Sequence, residues 1–211
     1  MFRRALLLGT VLLLALSLSG VAGRFAPAEA AEAVIGNVAA AQGEVLVMRE
    51  SGARMVGVGD DVHEKDRIVT GTDGRVRVAM ADGSTLSVGS DTEIVLSSFP
   101  DGNEPGFFDL VLGIVRTALS KRERDPGFEI RARTAVASVR STDWIVEAKD
   151  NNTAVFVAEG KVAVHPTEGP GEVVLGPGDG TDVPPGGPPK SPVQWGQKRV
   201  DEFVARTSVG N

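Results

Sequence analysis

Asp73-Gly74-Arg75-Val76-Arg77-Val78-Ala79-Met80-Ala81-Asp82-Gly83 is the stretch on which the reading of the fold turns. Val76, Val78 and Met80 alternate with Arg75, Arg77 and Ala79 between two Asp-Gly dipeptides. Side chains of a strand point to opposite faces in turn, so this alternation predicts a strand with one buried face. Asp-Gly suits the flanking hairpin turns, whose central residues need positive φ. The same rhythm continues outward over 85–88 and 92–96. Phe128, Ile130 and Ala132 then alternate with Glu129, Arg131 and Arg133, and Trp144, Val146 and Ala148 with Ile145 and Glu147. Stretches 153–158 and 161–164 follow, after a turn at Asp150-Asn151-Asn152. About a dozen such runs, at a spacing of roughly 8–12 residues, predict an all-β fold. Its strands form a coiled, β-solenoid-like arrangement or a two-sheet sandwich.

The segment 107–120 fits neither the strand nor the helix period, but Gly113 and its β-branched content favour strand. A weak internal echo is also present. Gly43-Glu44-Val45-Leu46-Val47 resembles Gly160-Lys161-Val162-Ala163-Val164, and Gly57-Val58-Gly59-Asp60 resembles Gly176-Pro177-Gly178-Asp179. Order and approximate spacing are kept, which suggests a strand pair recurring at both ends of one domain. The all-β domain is expected over 31–176. Prolines at 177, 184, 185, 188, 189 and 192 cannot donate ladder hydrogen bonds, so 177–192 reads as an extended linker. In the C-terminal segment 193–211, Val200, Phe203 and Val204 fall at i, i+3, i+4 of a short helix. So short a helix does not persist alone in water and must dock, on the parent domain or on another protein. These three residues are therefore candidate interaction residues.

At the start of the chain, Arg3 and Arg4 precede an apolar run from Ala5 to Ala22, and Ala28-Glu29-Ala30 supplies a small-x-small cleavage site. Residues 1–30 thus read as an export signal, leaving a periplasmic or secreted product. An uncleaved anchor holding the domain on the periplasmic side of the inner membrane is the alternative. Cleavage removes three cations and one anion, Arg3, Arg4, Arg24 and Glu29, moving the net charge from −6 to −8. An acidic chain is repelled by phosphates and anionic lipid, which argues against nucleic-acid or membrane-surface binding. The sequence has no Cys and no Tyr, and aromatics make up 5%. Disulfides, thiol catalysis and thiolate metal sites are excluded, and stacking platforms for bases or sugars are hard to build.

Catalytic and metal chemistry find little support. His63 and His165 stand apart with no ligand spacing around them, and read as surface imidazoles. Asp60-Asp61, Asp101-Gly102-Asn103-Glu104 and Asp150-Asn151-Asn152 are oxygen-rich, yet none follows a calcium-loop pattern, and turn preference explains them. No Gly-x-Ser-x-Gly elbow occurs. A dispersed carboxylate pair of the hydrolase kind meets only in space, and the scarcity of aromatics argues against a sugar cleft. No cofactor, catalytic or metal-binding residue is assigned. Arg75, Arg77, Arg131 and Arg133, on the polar faces of strands, are candidate interaction residues, as is the basic run Lys121-Arg122-Glu123-Arg124. Solvated faces and edge protection account for them cheaply, and an anionic cell-wall polymer is the sharper reading.

Several motifs together resemble the FecR domain family. In the first half these are Gly43 to Val47, Gly59-Asp60, Asp66-Arg67-Ile68-Val69-Thr70-Gly71 with Gly74, and Asp82-Gly83-Ser84 with Leu86. The second half adds Leu112-Gly113-Ile114-Val115, Arg140-Ser141-Thr142-Asp143-Trp144, Thr153 with Val155 and Val157, and Glu159-Gly160-Lys161-Val162. Ser141 stands where the family pattern usually has Gly. Well-known members of that family are iron-dicitrate sensors. They act on a sigma factor through a cytoplasmic N-terminal segment and meet a transporter's signalling domain through their periplasmic part. Only four residues precede the apolar run here. The resemblance therefore implies a non-catalytic, exported FecR-like module, a sensor or scaffold that binds an envelope protein, with no cytoplasmic segment for a sigma factor. β-augmentation, in which a sheet edge accepts an extended segment of a partner, is the expected mode. A structural domain bound to cell-wall glycan through its arginines is the alternative.

Overall fold

The computed structural model describes residues 33–101, 104–120, 126–140 and 142–210. The export signal read over 1–30, the basic run at 121–124 and Ser141 lie outside the described residues. Within them the chain forms β1 (Val34–Gln42), β2 (Val45–Arg49), β3 (Gly52–Met55), β4 (Asp61–His63), β5 (Arg67–Thr70), β6 (Arg75–Met80), β7 (Thr85–Val88) and β8 (Glu93–Ser98). The long β9 (Gly106–Ala118) leads to β10 (Phe128–Ala132), β11 (Ala135–Val139), β12 (Asp143–Lys149), β13 (Asn152–Glu159) and β14 (Val162–Pro166). Last come β15 (Val173–Leu175), β16 (Asp179–Val183), β17 (Val193–Gln194) and the helix α1 (Gln197–Thr207). The all-β expectation holds, and the strands exceed the expected dozen because β3, β4, β15 and β17 are too short to carry a visible period.

Two layers share one strand. The first runs β4-β1-β6-β7-β9-β12-β13-β16-β17 and the second β3-β2-β5-β8-β9-β10-β11-β14-β15. Among named strands only β9 and β10 pair in parallel. β9 lies in the second layer up to Leu112 and in the first from Gly113. This explains why its sequence fits no single period. Leu110 is buried, Val111 and Leu112 are exposed, and Ile114 and Val115 are both buried, so the alternation slips where the strand changes sheets. Gly113 makes the slip with φ +93°. Inward side chains of both layers form one core, with Ile68, Leu86, Ile94, Leu96, Phe108, Ile130 and Trp144 fully enclosed. Each such side chain contributes about 1.5–3 kcal/mol on leaving water. The arrangement is an open two-layer sandwich and not a closed barrel.

The internal echo is structural. β1 and β4 pair antiparallel in the first layer while β2 and β3 pair in the second, and β13–β16 with β14–β15 repeat this arrangement. The Gly43 and Gly160 corners have φ +63° and +88°, and Gly59 and Gly178 have φ +91° and +84°. Gly57 N donates to Asp60 Oδ2 at 3.0 Å, as Gly176 N does to Asp179 Oδ2 at 2.9 Å. Gly59 N donates to Val38 O, and Gly178 N to Val157 O, both at 2.8 Å. The Gly57 amide, with Arg54, holds the Asp60 carboxyl below its ordinary range. Residues 177–192, expected to be an extended linker, thus supply β16. Its five residues fall between Pro177 and Pro184, so no proline interrupts its ladder.

The C-terminal helix docks on the parent domain. Phe203 and Trp195 pack with Ile114, Ile145, Ala154 and Phe156 on the outer face of the first layer, with Val200 and Val204 at the margin. Trp195 stacks on Phe156 at 5.2 Å, and Phe203 meets Trp195 edge-on at 4.9 Å. An added Cβ on Gly180 would lie 2.2 Å from the Trp195 ring, so only glycine lets the indole seat there. Asn37, exposed, occupies in the first repeat the position of Phe156 in the second, and no helix among the described residues covers that end of the sheet.

Two ion pairs pin the helix, Arg199 to Asp182 at 2.9 Å and Arg206 to Glu147 at 2.6 Å. Burial works to raise the Asp182 carboxyl, but Arg199, Asn152 and the charge of Lys190 outweigh it and hold the group below the usual range. The pair's contribution is therefore complete above the unfolded value of about 3.9 and fades as pH falls through the lower folded value. Trp195 emission should shift to the red below pH of about 4, ahead of global unfolding. Asp182→Asn should abolish that step and cost about 0.5–1 kcal/mol at neutral pH. An acid titration followed by fluorescence checks both.

Candidate functional site

A binding module needs a free edge, a free face or a cavity. The free edges are β4 and β17 in the first layer, at 3 and 2 residues, and β3 and β15 in the second, at 4 and 3. Such short edges are a common way of blocking strand addition. They offer few hydrogen bonds to an incoming segment, which weighs against the edge-pairing mode expected from sequence. On the outer face of the first layer, α1 and Trp195 cover Ile114, Ile145, Ala154 and Phe156. Among the described residues no helix covers the outer face of the second layer.

That open face mixes apolar and paired charged side chains in rows across the strands. One row runs Met55, Leu46, Val69, Glu93 and Leu112. The next runs Ala53, Met48, Arg67, Val95, Asp109, Arg131, Val136 and His165. Met55, Met48 and Val174 are 65%, 43% and 55% exposed, too apolar for a face serving only solubility. Its charges are internally satisfied: Arg67 pairs with Glu93, Ser97 donates to Asp109, and Arg131 meets Glu129 at 2.9 Å. Arg131 also lies 3.6 Å over the Phe107 ring. A groove of 490 Å³ crosses one side of the face, bordered by Pro105, Glu129, Ser138, Ala163 and Val174.

The candidate arginines do not converge. Arg75 and Arg77 lie on the outer side of β6 in the first layer, Arg131 on the open face of the second, and Arg133 in the turn after β10. No single basic patch results, which removes the geometric support for a polyanion reading. Val200, Phe203 and Val204, read as possible contacts to another protein, are engaged by the chain's own sheet. Their apolar spacing reported burial correctly but could not say against what.

Two polar clusters were not legible in the sequence. Asp66 is fully buried; it takes both Arg49 nitrogens Nε and Nη2, the latter at 2.7 Å, and the His63 backbone N–H at 2.9 Å. Arg49 Nη2 also reaches His63 Nδ1 at 2.6 Å and donates to Asp61 O at 3.2 Å. His63 is thus a half-buried partner in an ionic tie among β2, β4 and β5 and not the surface imidazole expected. The second cluster joins Thr70, Gly89, Thr92 and Ile114. Thr70 Oγ1 donates to Gly89 O at 2.6 Å and accepts from Thr92 N at 3.0 Å, while Thr92 Oγ1 accepts from Ile114 N at 3.0 Å. Both clusters lock strands together. Among the described residues no group of three or more His, Asp or Glu is placed to hold a metal ion. No helix among them is long and apolar enough to cross a membrane.

Known proteins place this architecture. The family model described as FecR protein matches residues 66–163. Two solved structures of a candidate anti-sigma factor from Parabacteroides distasonis share the fold at a TM-score of 0.55 and 19% sequence identity. The match covers 65% of this chain and 64% and 63% of those chains, so less than two thirds of their length is represented. At that identity the likeness is one of fold. No curated protein matches the chain. The matched stretch begins at the buried Asp66 and ends at Ala163 in β14, spanning the shared strand β9 and both of its neighbours in each layer. Over residues 66–163 the chain is similar to the FecR protein family.

Proposed function

We propose that this chain is a non-catalytic regulatory module that works outside the cytoplasm by binding another protein on the open face of its second layer. The observation that carries the reading is the asymmetry of the two outer faces. One carries the chain's own helix over its apolar residues Ile114, Ile145, Ala154 and Phe156, while the other presents Met48, Met55, Val95, Phe107 and Val174 among charges that already pair with one another. Satisfied charges beside accessible apolar groups suit a protein partner better than a polyanion, which needs unpaired cations. The similarity to the FecR family supports a sensor or regulatory role, and the export signal read at residues 1–30 supports a periplasmic or secreted location. An envelope protein is the partner class proposed.

Site-specific photo-crosslinking in living cells tests the surface. A benzoylphenylalanine placed at Val95 or Phe107 should give a discrete adduct with one envelope protein, whereas the same probe at Lys198, on the exposed side of α1, should give none. Adducts from Lys198 with silence from the open face would refute the assignment. N-terminal sequencing of the exported product should begin at Ala31.

A further inference from the structure

Where β9 changes sheets, the fold opens a cavity of 590 Å³ at one end of the sandwich. Its floor is Val111, Leu112, Gly113 and Ala148. Val111 and Leu112 are 47% and 45% exposed, although they are consecutive apolar residues in the middle of the longest strand. The register explains this: Glu93 pairs with Leu112 and Ile94 with Leu110, so Val111 is the extra residue of a bulge. Bulges re-aim side chains and recur beside binding sites. The rim comes from three turns and the end of the helix. Glu147 is neutralised by Arg206 at 2.6 Å. Arg133 and Lys149, with Asp91 and Asp150, also line the cavity and form no ion pair among the described residues.

We propose that this cavity is the anchor point for the protein partner and takes an extended peptide segment in which an apolar side chain is flanked by one acidic and one basic residue. The inference rests on the protein-binding reading above, since Leu112 continues the row of the open face through Glu93. Charge complementarity selects the occupant. A polyanion would meet Asp91 and Asp150, a polycation would meet Arg133 and Lys149, and an uncharged apolar ligand would leave all four without partners. An apolar side chain on Val111 and Leu112, with a carboxylate toward the cations and an ammonium toward the carboxylates, satisfies floor and rim together. The volume lies in the range of roughly 300–1,000 Å³ typical of pockets that bury a small ligand.

The test uses the full mature protein and a fluorescein-labelled Gly-Lys-Phe-Asp-Gly peptide, read by anisotropy. Saturable binding is expected, weakening with salt, and weakening about tenfold in Leu112→Ser and in Arg133→Glu, since few contacts dominate such sites. Both positions are exposed, and unchanged thermal melts will show that the variants fold. Amide shifts on peptide addition should centre on Gly113, Asp91 and Asn151. The Gly-Gln-Phe-Asn-Gly control should bind more weakly. No saturation by about 1 mM overturns the proposal, as do shifts centred elsewhere, insensitivity to both variants, or equal binding of free phenylalanine. Failure here with a persisting photo-adduct at Val95 would leave the open face as the binding surface and remove only the cavity.

Discussion

Replacing Gly113 with alanine should destabilise the domain by about 2–6 kcal/mol, combining the cost of a strained backbone with that of overpacking. The backbone there has φ +93°, a conformation that side chains with a Cβ rarely adopt. An added Cβ would sit 2.2 Å from Thr92 Oγ1 and 2.5 Å from Thr92 Cα. Thr92 is not free to retreat, because its backbone N–H is held by Thr70 and its hydroxyl donates to Ser90 O at 3.0 Å while receiving the Ile114 N–H. Against a total stability of roughly 5–15 kcal/mol, a loss of this size removes much of the folded margin. Gly186→Ala is the control: φ is +64° but nothing lies within 4 Å, so only the backbone cost of about 1–2 kcal/mol applies. Urea denaturation followed by circular dichroism measures both. Equal costs for the two glycines would show that the sheet crossing tolerates a side chain and that β9 is not the joint described.

Asp66→Ala should cost about 3–5 kcal/mol, because it leaves the Arg49 guanidinium half-buried without its carboxylate. The carboxylate is fully buried and accepts from both Nε and Nη2 of Arg49 in the cluster that ties β2, β4 and β5. The backbone N–H of His63 loses its acceptor as well. Replacing both partners together, as in Arg49→Met with Asp66→Leu, should cost clearly less than the sum of the single changes, since an apolar pair leaves no orphaned charge. A double-mutant cycle in urea reads the coupling. Additivity within about 0.5 kcal/mol would mean that the two residues act independently. The partner surface on the other strands should be untouched, so the variants that remain folded should keep the photo-adduct at Val95.

Local periodicity determined a good deal of this protein. Alternation at Val76, Val78 and Met80, or at Phe128, Ile130 and Ala132, reports which side chains leave water, and that depends only on neighbours along one strand. The same logic located the helix from Val200, Phe203 and Val204, and the Gly-Asp echo located the two repeated units. Partnership between distant segments is not written in any local period. That β9 serves both layers, that α1 packs over one face with Trp195 and Phe156, and that Asp66 meets Arg49 were all decided by chain ends and turns brought together over long separations. The dispersal of Arg75, Arg77, Arg131 and Arg133 was decided in the same way. A strand's alternation tells inside from outside but carries no information about which outside surface another element will cover. Only packing in three dimensions decided which face stayed open to a partner.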